Sequence, residues 1–144
     1  MRVCFRANDA GFDADEYSII CGVDGRDTDG VEHALSFDRL SEVAAADDPS
    51  DDWGVHTQFD DQSNGAYSRV GRCRLSRTSL SVDLSGQLGR LAGVEGFDAE
   101  LAIADELYGQ LKAGLARIFR GMPEVLVVAD DGGRDVGSAE FRVA

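Results

Sequence analysis

Long apolar runs are missing from this sequence: the longest, Val125-Leu126-Val127-Val128-Ala129, covers about five residues. A membrane-spanning helix needs roughly 18, so no transmembrane segment is expected. The opening Met1-Arg2-Val3-Cys4-Phe5-Arg6 has no apolar stretch of the kind a secretory leader carries, which predicts no signal peptide. Cysteine is scarce as well. Cys4, Cys21 and Cys73 are odd in number, widely spaced and without a Cys-x-x-Cys pair, a pattern that excludes a dense disulfide framework. Together with His33 and His56 they show no metal-ligand spacing, so neither metal nor cofactor is expected. Reduced thiols in a cytoplasmic protein are the expectation, and Cys21, inside Ile19-Ile20-Cys21-Gly22-Val23, reads as a small buried hydrophobe.

Recognisable chemistry is also lacking. There is no Gly-x-Ser-x-Gly elbow, no phosphate loop and no dinucleotide fingerprint after a strand, and neither histidine has an obvious nucleophile neighbour. The aspartate-rich Asp24 to Gly30 stretch fails as a calcium loop. With Gly30 in the required glycine position, Gly25 stands at position one and Ser36 at position twelve, so two ligands are missing. It reads as a polar hairpin turn. These absences favour a binding protein over an enzyme.

Positive charge is what the chain has least of. Fourteen basic residues, of which Lys112 is the single lysine, face 27 acidic ones, for a net charge of −13. Residues 1–66 carry sixteen acidic and four basic side chains, whereas residues 67–90 carry five arginines and one aspartate. Such a domain repels phosphate backbones and anionic membranes, so direct nucleic-acid or membrane binding is not expected. Its natural counterpart is cationic. Solubility, a GC-rich coding sequence or salt adaptation would produce the same bias, and the last is compatible with a small-ligand-binding domain of unknown role.

With 43% hydrophobic and 28% charged residues in 144, the chain has the makings of one soluble domain. Alternating patterns predict strands at Val3–Phe5, Glu16–Val23, Glu32–Phe37, Val55–Phe59, Tyr67–Leu75, Ser79–Leu84 and Phe97–Ile103. Asn64-Gly65 signals a hairpin turn. Short helical turns are expected within Asp38–Asp48 and around Leu88 and Leu91 after Ser85. From about Asp105 to Arg120, Leu107, Leu111, Leu115, Ile118 and Met122 line one face of an amphipathic helix that Gly121 and Pro123 end. The expected class is α+β: an antiparallel sheet of about six to eight strands with that helix on one face, and residues 121–144 as a terminal hairpin or extension built on Val125–Val128 and Phe141–Val143.

One stretch stands out as a binding candidate. Asp47, Asp48, Asp51 and Asp52 lead into Trp53, the sole tryptophan, and Asp60 and Asp61 follow. Tryptophan is a favoured interface anchor, and carboxylates around it would steer a cationic partner. The alternative is that Trp53 staples its loop to the core while the aspartates stay solvated.

The order of segments resembles immunity protein 10, a family of small immunity proteins of bacterial polymorphic toxin systems. The resemblance rests on the Phe5-Arg6-Ala7 strand with its aspartate-rich continuation, Trp53-Gly54-Val55 running into an acidic turn and Ala66-Tyr67, the Val70–Leu84 hairpin, Leu88/Leu91 before Phe97, and the closing Leu107-x3-Leu111-x3-Leu115-x2-Ile118 helix. It covers about residues 1–120, and Ser68-Arg69 stands where a Gly-Gly pair is common in the family. The resemblance implies a cytoplasmic protein that neutralises a cognate toxin domain, a nuclease being one candidate, and it implies no catalytic residues. The oligomeric state, homodimer included, is left open.

Overall fold

The computed structural model describes residues 1–131 and 134–136. They form ten strands in one sheet: β1 (Arg2–Ala14), β2 (Ser18–Arg26), β3 (Glu32–Leu40), β4 (His56–Phe59), β5 (Gly65–Tyr67), β6 (Val70–Ser76), β7 (Ser79–Leu84), β8 (Gly96–Leu101), β9 (Leu126–Asp131) and β10 (Arg134–Val136). Two α-helices, α1 (Glu42–Asp47) and α2 (Asp105–Ile118), complete the set. The strand order is β10-β9-β6-β7-β8-β1-β2-β3-β4-β5. The α+β class stands, with more strands than the six to eight expected. Two pairs, β1 with β8 and β6 with β9, are parallel, so the sheet is only mostly antiparallel. The single α2 crossover between β8 and β9 makes the second of these pairings reachable.

The sheet cannot be flat. β5 and β6 stand at the tenth and third places in the order, about 33 Å apart in a flat sheet. Yet only Ser68 and Arg69 join them, and so short a link spans at most ~11 Å. The sheet therefore curls toward its apolar face. The rings of Phe5 (β1), Phe59 (β4) and Phe97 (β8) converge there, with centroids 6.2 Å apart for Phe5–Phe59 and 4.6 Å for Phe59–Phe97. β4 and β8, four places apart in the order, would otherwise be separated by about 19 Å.

Inside the curl lies α2, packed against β1, β2 and β3. Its buried residues Tyr108, Leu111, Gly114, Leu115 and Ile118 recur at three- and four-residue steps, as the sequence predicts. Phe119, just past its end, meets Phe37 of β3 edge-on at 5.5 Å. Gly114 is the point of closest approach: a Cβ there would lie 2.9 Å from both Cys21 Cβ and Phe12 Cδ1. The last carbonyls of α2 are met by a side chain of the sheet. Arg39 donates to Ile118 O and Arg120 O, each at 3.0 Å, while Arg120 donates to Leu40 O at 2.8 Å. Among the described residues no helix is long and apolar enough to cross a membrane.

Other local expectations change. β1 runs through Ala14 because its aspartates alternate outward while Phe5, Ala7 and Ala10 are buried, with a register shift between Ala7 and Asp9. The Leu88/Leu91 segment is a bridged turn rather than a helix. Leu88 is fully buried there, and Gly89 sits at φ +56° so close to the 63–65 turn that a Cβ would fall 2.3 Å from Ser63 O. β10 pairs antiparallel with β9; the Phe141–Val143 strand of the expected terminal hairpin lies outside the described residues.

Gly114→Ala tests the helix–sheet contact. Alanine gains ~1 kcal/mol in helix propensity, but the fixed Cβ of Cys21 cannot withdraw, and overpacking costs about 1–3 kcal/mol. A net loss of stability in urea denaturation is expected; a gain would show that α2 has room to move.

Candidate functional site

The seven carboxylate and tryptophan positions singled out by sequence divide between the two ends of the β3–β4 ladder. At one end Ser41 caps α1, its hydroxyl accepting the Ala44 N–H and donating to Glu16 O. Asp47 closes α1, and a one-turn 3-10 helix, Pro49–Asp51, follows with Asp48 as its cap. Gly54, at φ +90°, then swings the chain into β4.

Trp53 sits on the surface of this loop, 66% exposed. Its indole N–H donates to Ser50 O at 3.1 Å, and its ring meets Tyr67 of β5 edge-on at 5.5 Å. Tyr67 is itself 42% exposed and meets His56 at 5.0 Å, while His56 Nδ1 lies 3.1 Å from Asp38 Oδ2. Trp53 therefore does not staple its loop to the core. It offers an apolar face to solvent, rigidified by a second aromatic ring. Asp47 and Asp51 beside it make no hydrogen bond or ion pair through their carboxylates among the described residues.

Asp52 has a different environment. Its side chain is largely buried, and its two oxygens accept from Arg39 at 3.3 and 3.2 Å, one of them also from Gly54 N–H. Burial alone would raise its pKa, but the hydrogen bonds and charge of Arg39 outweigh it, and the carboxyl lies below the usual aspartate value. Since Arg39 also holds the end of α2, Asp52 ties the loop to the core helix.

Asp60 and Asp61 lie at the far end of β4, about 13 Å away along the strand. Asp60 adopts a left-handed φ of +60° and is held there by its own contacts: Oδ1 accepts Ala34 N–H at 2.8 Å and Oδ2 lies 2.7 Å from His33 Nδ1. Asp27 Oδ2 faces the other ring nitrogen at 2.9 Å. Both nitrogens thus meet carboxylate oxygens, the arrangement of a doubly protonated ring joining the β2–β3 turn to the β4–β5 turn. Desolvation works against the imidazolium, yet the Asp60 and Asp27 hydrogen bonds prevail and the His33 pKa is raised. The hydrogen bond with His33 is the first cause of the lowered Asp27 pKa. The turn is shorter than the Asp24–Gly30 stretch read from sequence, because β2 pairs with β3 through Arg26, and Asp27 Oδ1 then accepts Asp29 N–H and Val31 N–H. The Asp61 carboxylate accepts the Ser63 hydroxyl at 3.0 Å.

Across residues 1–66, three of the sixteen carboxylates pair with arginines (Glu32, Glu42, Asp52) and three with histidines (Asp27, Asp38, Asp60). The other ten have no cationic partner among the described residues, and Asp47, Asp48, Asp51 and Asp61 are among them. An open groove of about 1340 Å³ lies where β1, β8 and the end of β2 meet. Its charged groups are matched with each other or with neighbours: Arg6 with Glu100 at 3.4 Å, Arg26 with Glu32 at 2.8 Å, and Asp98 with Arg2 at 2.7 Å. Tyr67, His56 and Asp38 were not singled out by sequence. Tyr67 alone carried a signal, an aromatic next to Asn64-Gly65 at a position of alternating polarity.

Compared with known proteins, the chain matches no family model, no curated sequence and no solved structure.

Two outcomes are expected. Asp52→Asn lowers stability by about 1–3 kcal/mol in urea denaturation, because it weakens a largely buried charge-assisted pair, whereas Asp51→Asn stays within about 0.5 kcal/mol; equal effects would refute the division. The raised His33 pKa makes the clasp fully stabilising below the unfolded value of 6.5 and weaker as pH rises through the folded value. The lowered Asp27 pKa removes its contribution as pH falls below 3.8. The stability difference between the wild type and His33→Gln should therefore peak near pH 5–6 and shrink by pH 9; a difference that is flat with pH would count against the bridged imidazolium.

Proposed function

We propose that this protein is a binding module for a basic protein, and more particularly a cytoplasmic immunity protein that neutralises a cognate toxin domain. The observation that carries the first step is the exposed Trp53–Tyr67 pair flanked by Asp47 and Asp51, whose charge nothing in the described chain compensates. A rigid aromatic anchor ringed by carboxylates is what a cationic partner needs: contact area that loses little entropy on binding, and long-range attraction that speeds encounter. The second step rests on the segment-order resemblance to immunity proteins. It fits the same surface, because a toxin domain that acts on nucleic acid is basic where it grips phosphate.

Measurements use the toxin domain encoded beside this chain's gene. Co-expression should rescue the host, and binding followed over a salt series should weaken with ionic strength, mostly through slower association. Trp53→Ala should cost about 2 kcal/mol, roughly thirtyfold in Kd, without loss of stability. Affinity indifferent both to salt and to Trp53→Ala would rule the reading out.

A further inference from the structure

The register of the ladders creates a feature that no single loop carries. On β2 to β5, Ile20 stands opposite Asp38, Asp38 opposite His56 and His56 opposite Tyr67, with Asp13 of β1 extending the row beyond Ile20. The strand neighbours Ile19, Cys21, Phe37, Val55 and Thr57 are buried, so alternation turns the row to the face opposite α2. Ile20 is 46% exposed, an unusual place for a large aliphatic side chain in an otherwise polar face. Tyr67 and Trp53 continue the row at the sheet edge. The row runs about 19 Å from Asp13 to Tyr67, four strand spacings. Its order is Asp13, Ile20, Asp38, His56 and Tyr67, so Ile20 stands between the two aspartates and Asp38 is paired with His56.

A second acidic line runs parallel to it on the same face, where Asp9 stands opposite Asp24. Burial, and next the charges of Asp9 and Glu32, push the Asp24 carboxyl upward, so carboxylates crowd this part of the face, where Arg26 pairs with Glu32. α2 packs against β1–β3, and on the outer face of these strands Asp13, Ile20, Asp24 and Ala34 are exposed among the described residues.

From this row we propose that the partner docks across the outer face of β1–β5, laying on it a basic segment that carries large apolar side chains. The inference rests on the binding reading above and extends its footprint from the Trp53 loop to the sheet. The charge is complementary to arginine or lysine, and the apolar anchors of the segment meet Ile20 and the Tyr67–Trp53 pair. Because the face curves outward, an extended chain of about six residues can follow it over all five strands.

The test uses a twelve-residue peptide of alternating arginine and leucine, labelled for anisotropy, with Trp53 emission as a second reporter, since Trp53 is the only tryptophan. Saturable binding with a shift in Trp53 emission is expected. Ile20→Thr, which keeps the branched Cβ, should weaken it about tenfold, and Ile20→Lys should weaken it further. Ile20 lies about 14 Å across the strands from Tyr67, so neither change touches Trp53 directly. Wild-type affinity in both variants, or no binding to the wild type, overturns the sheet-face footprint. Failure of the toxin-domain rescue is a separate result that removes the binding reading itself.

Discussion

The two-residue link between β5 and β6 is the constraint on which the rest depends. It brings the two flanks of a long sheet together, and the sheet answers by curling around α2. The core on its concave side joins Phe5, Phe37, Phe59 and Phe97 of the sheet with Leu111, Leu115 and Ile118 of α2. The other face curves outward, and whatever it carries is displayed. An acidic chain folded this way has nowhere to put its charge except on that outer face and in the turns.

Charge is then sorted by reach. Where a cation of the same chain is near, it is used structurally: Arg39 joins Asp52 to the end of α2, His33 spans Asp27 and Asp60, and Arg117 holds Glu42 with its carboxyl down to about 2. Arg2 does the same for Asp83 and Asp98 on the β7–β8 side. Asp9, Asp13, Asp24, Asp47 and Asp51 have no such neighbour among the described residues. The strong negative field of the first 66 residues is therefore partly a scaffold and partly a surface. Only the surface part can meet a partner.

Much of the fold was legible in the sequence. Four-residue steps from Leu107 to Leu115 mark α2, and alternation marks most strands, because each depends only on neighbours in the chain. The parallel pairings of β1 with β8 and β6 with β9 join segments dozens of residues apart and leave no local trace. Leu88 and Leu91 suggested a helix through spacing alone, but Gly89 between them serves a tight approach to the 63–65 turn. The candidate site was legible in part for the same reason. Trp53 and its aspartates are contiguous, whereas the roles of Asp52 and Asp60 depend on Arg39 and His33, and the Ile20–Tyr67 row exists only once the register is known.

The central claim is that the outer face of β1–β5, with the Trp53 loop at its edge, is the surface that meets a basic partner. Amide hydrogen exchange of the chain alone and bound to the toxin domain proposed as its partner tests this most directly. The account predicts new protection confined to β1–β5 and the 47–55 loop. Protection on the arginine-bearing β6–β7 hairpin, with β2 and the Trp53 loop unchanged, would contradict it.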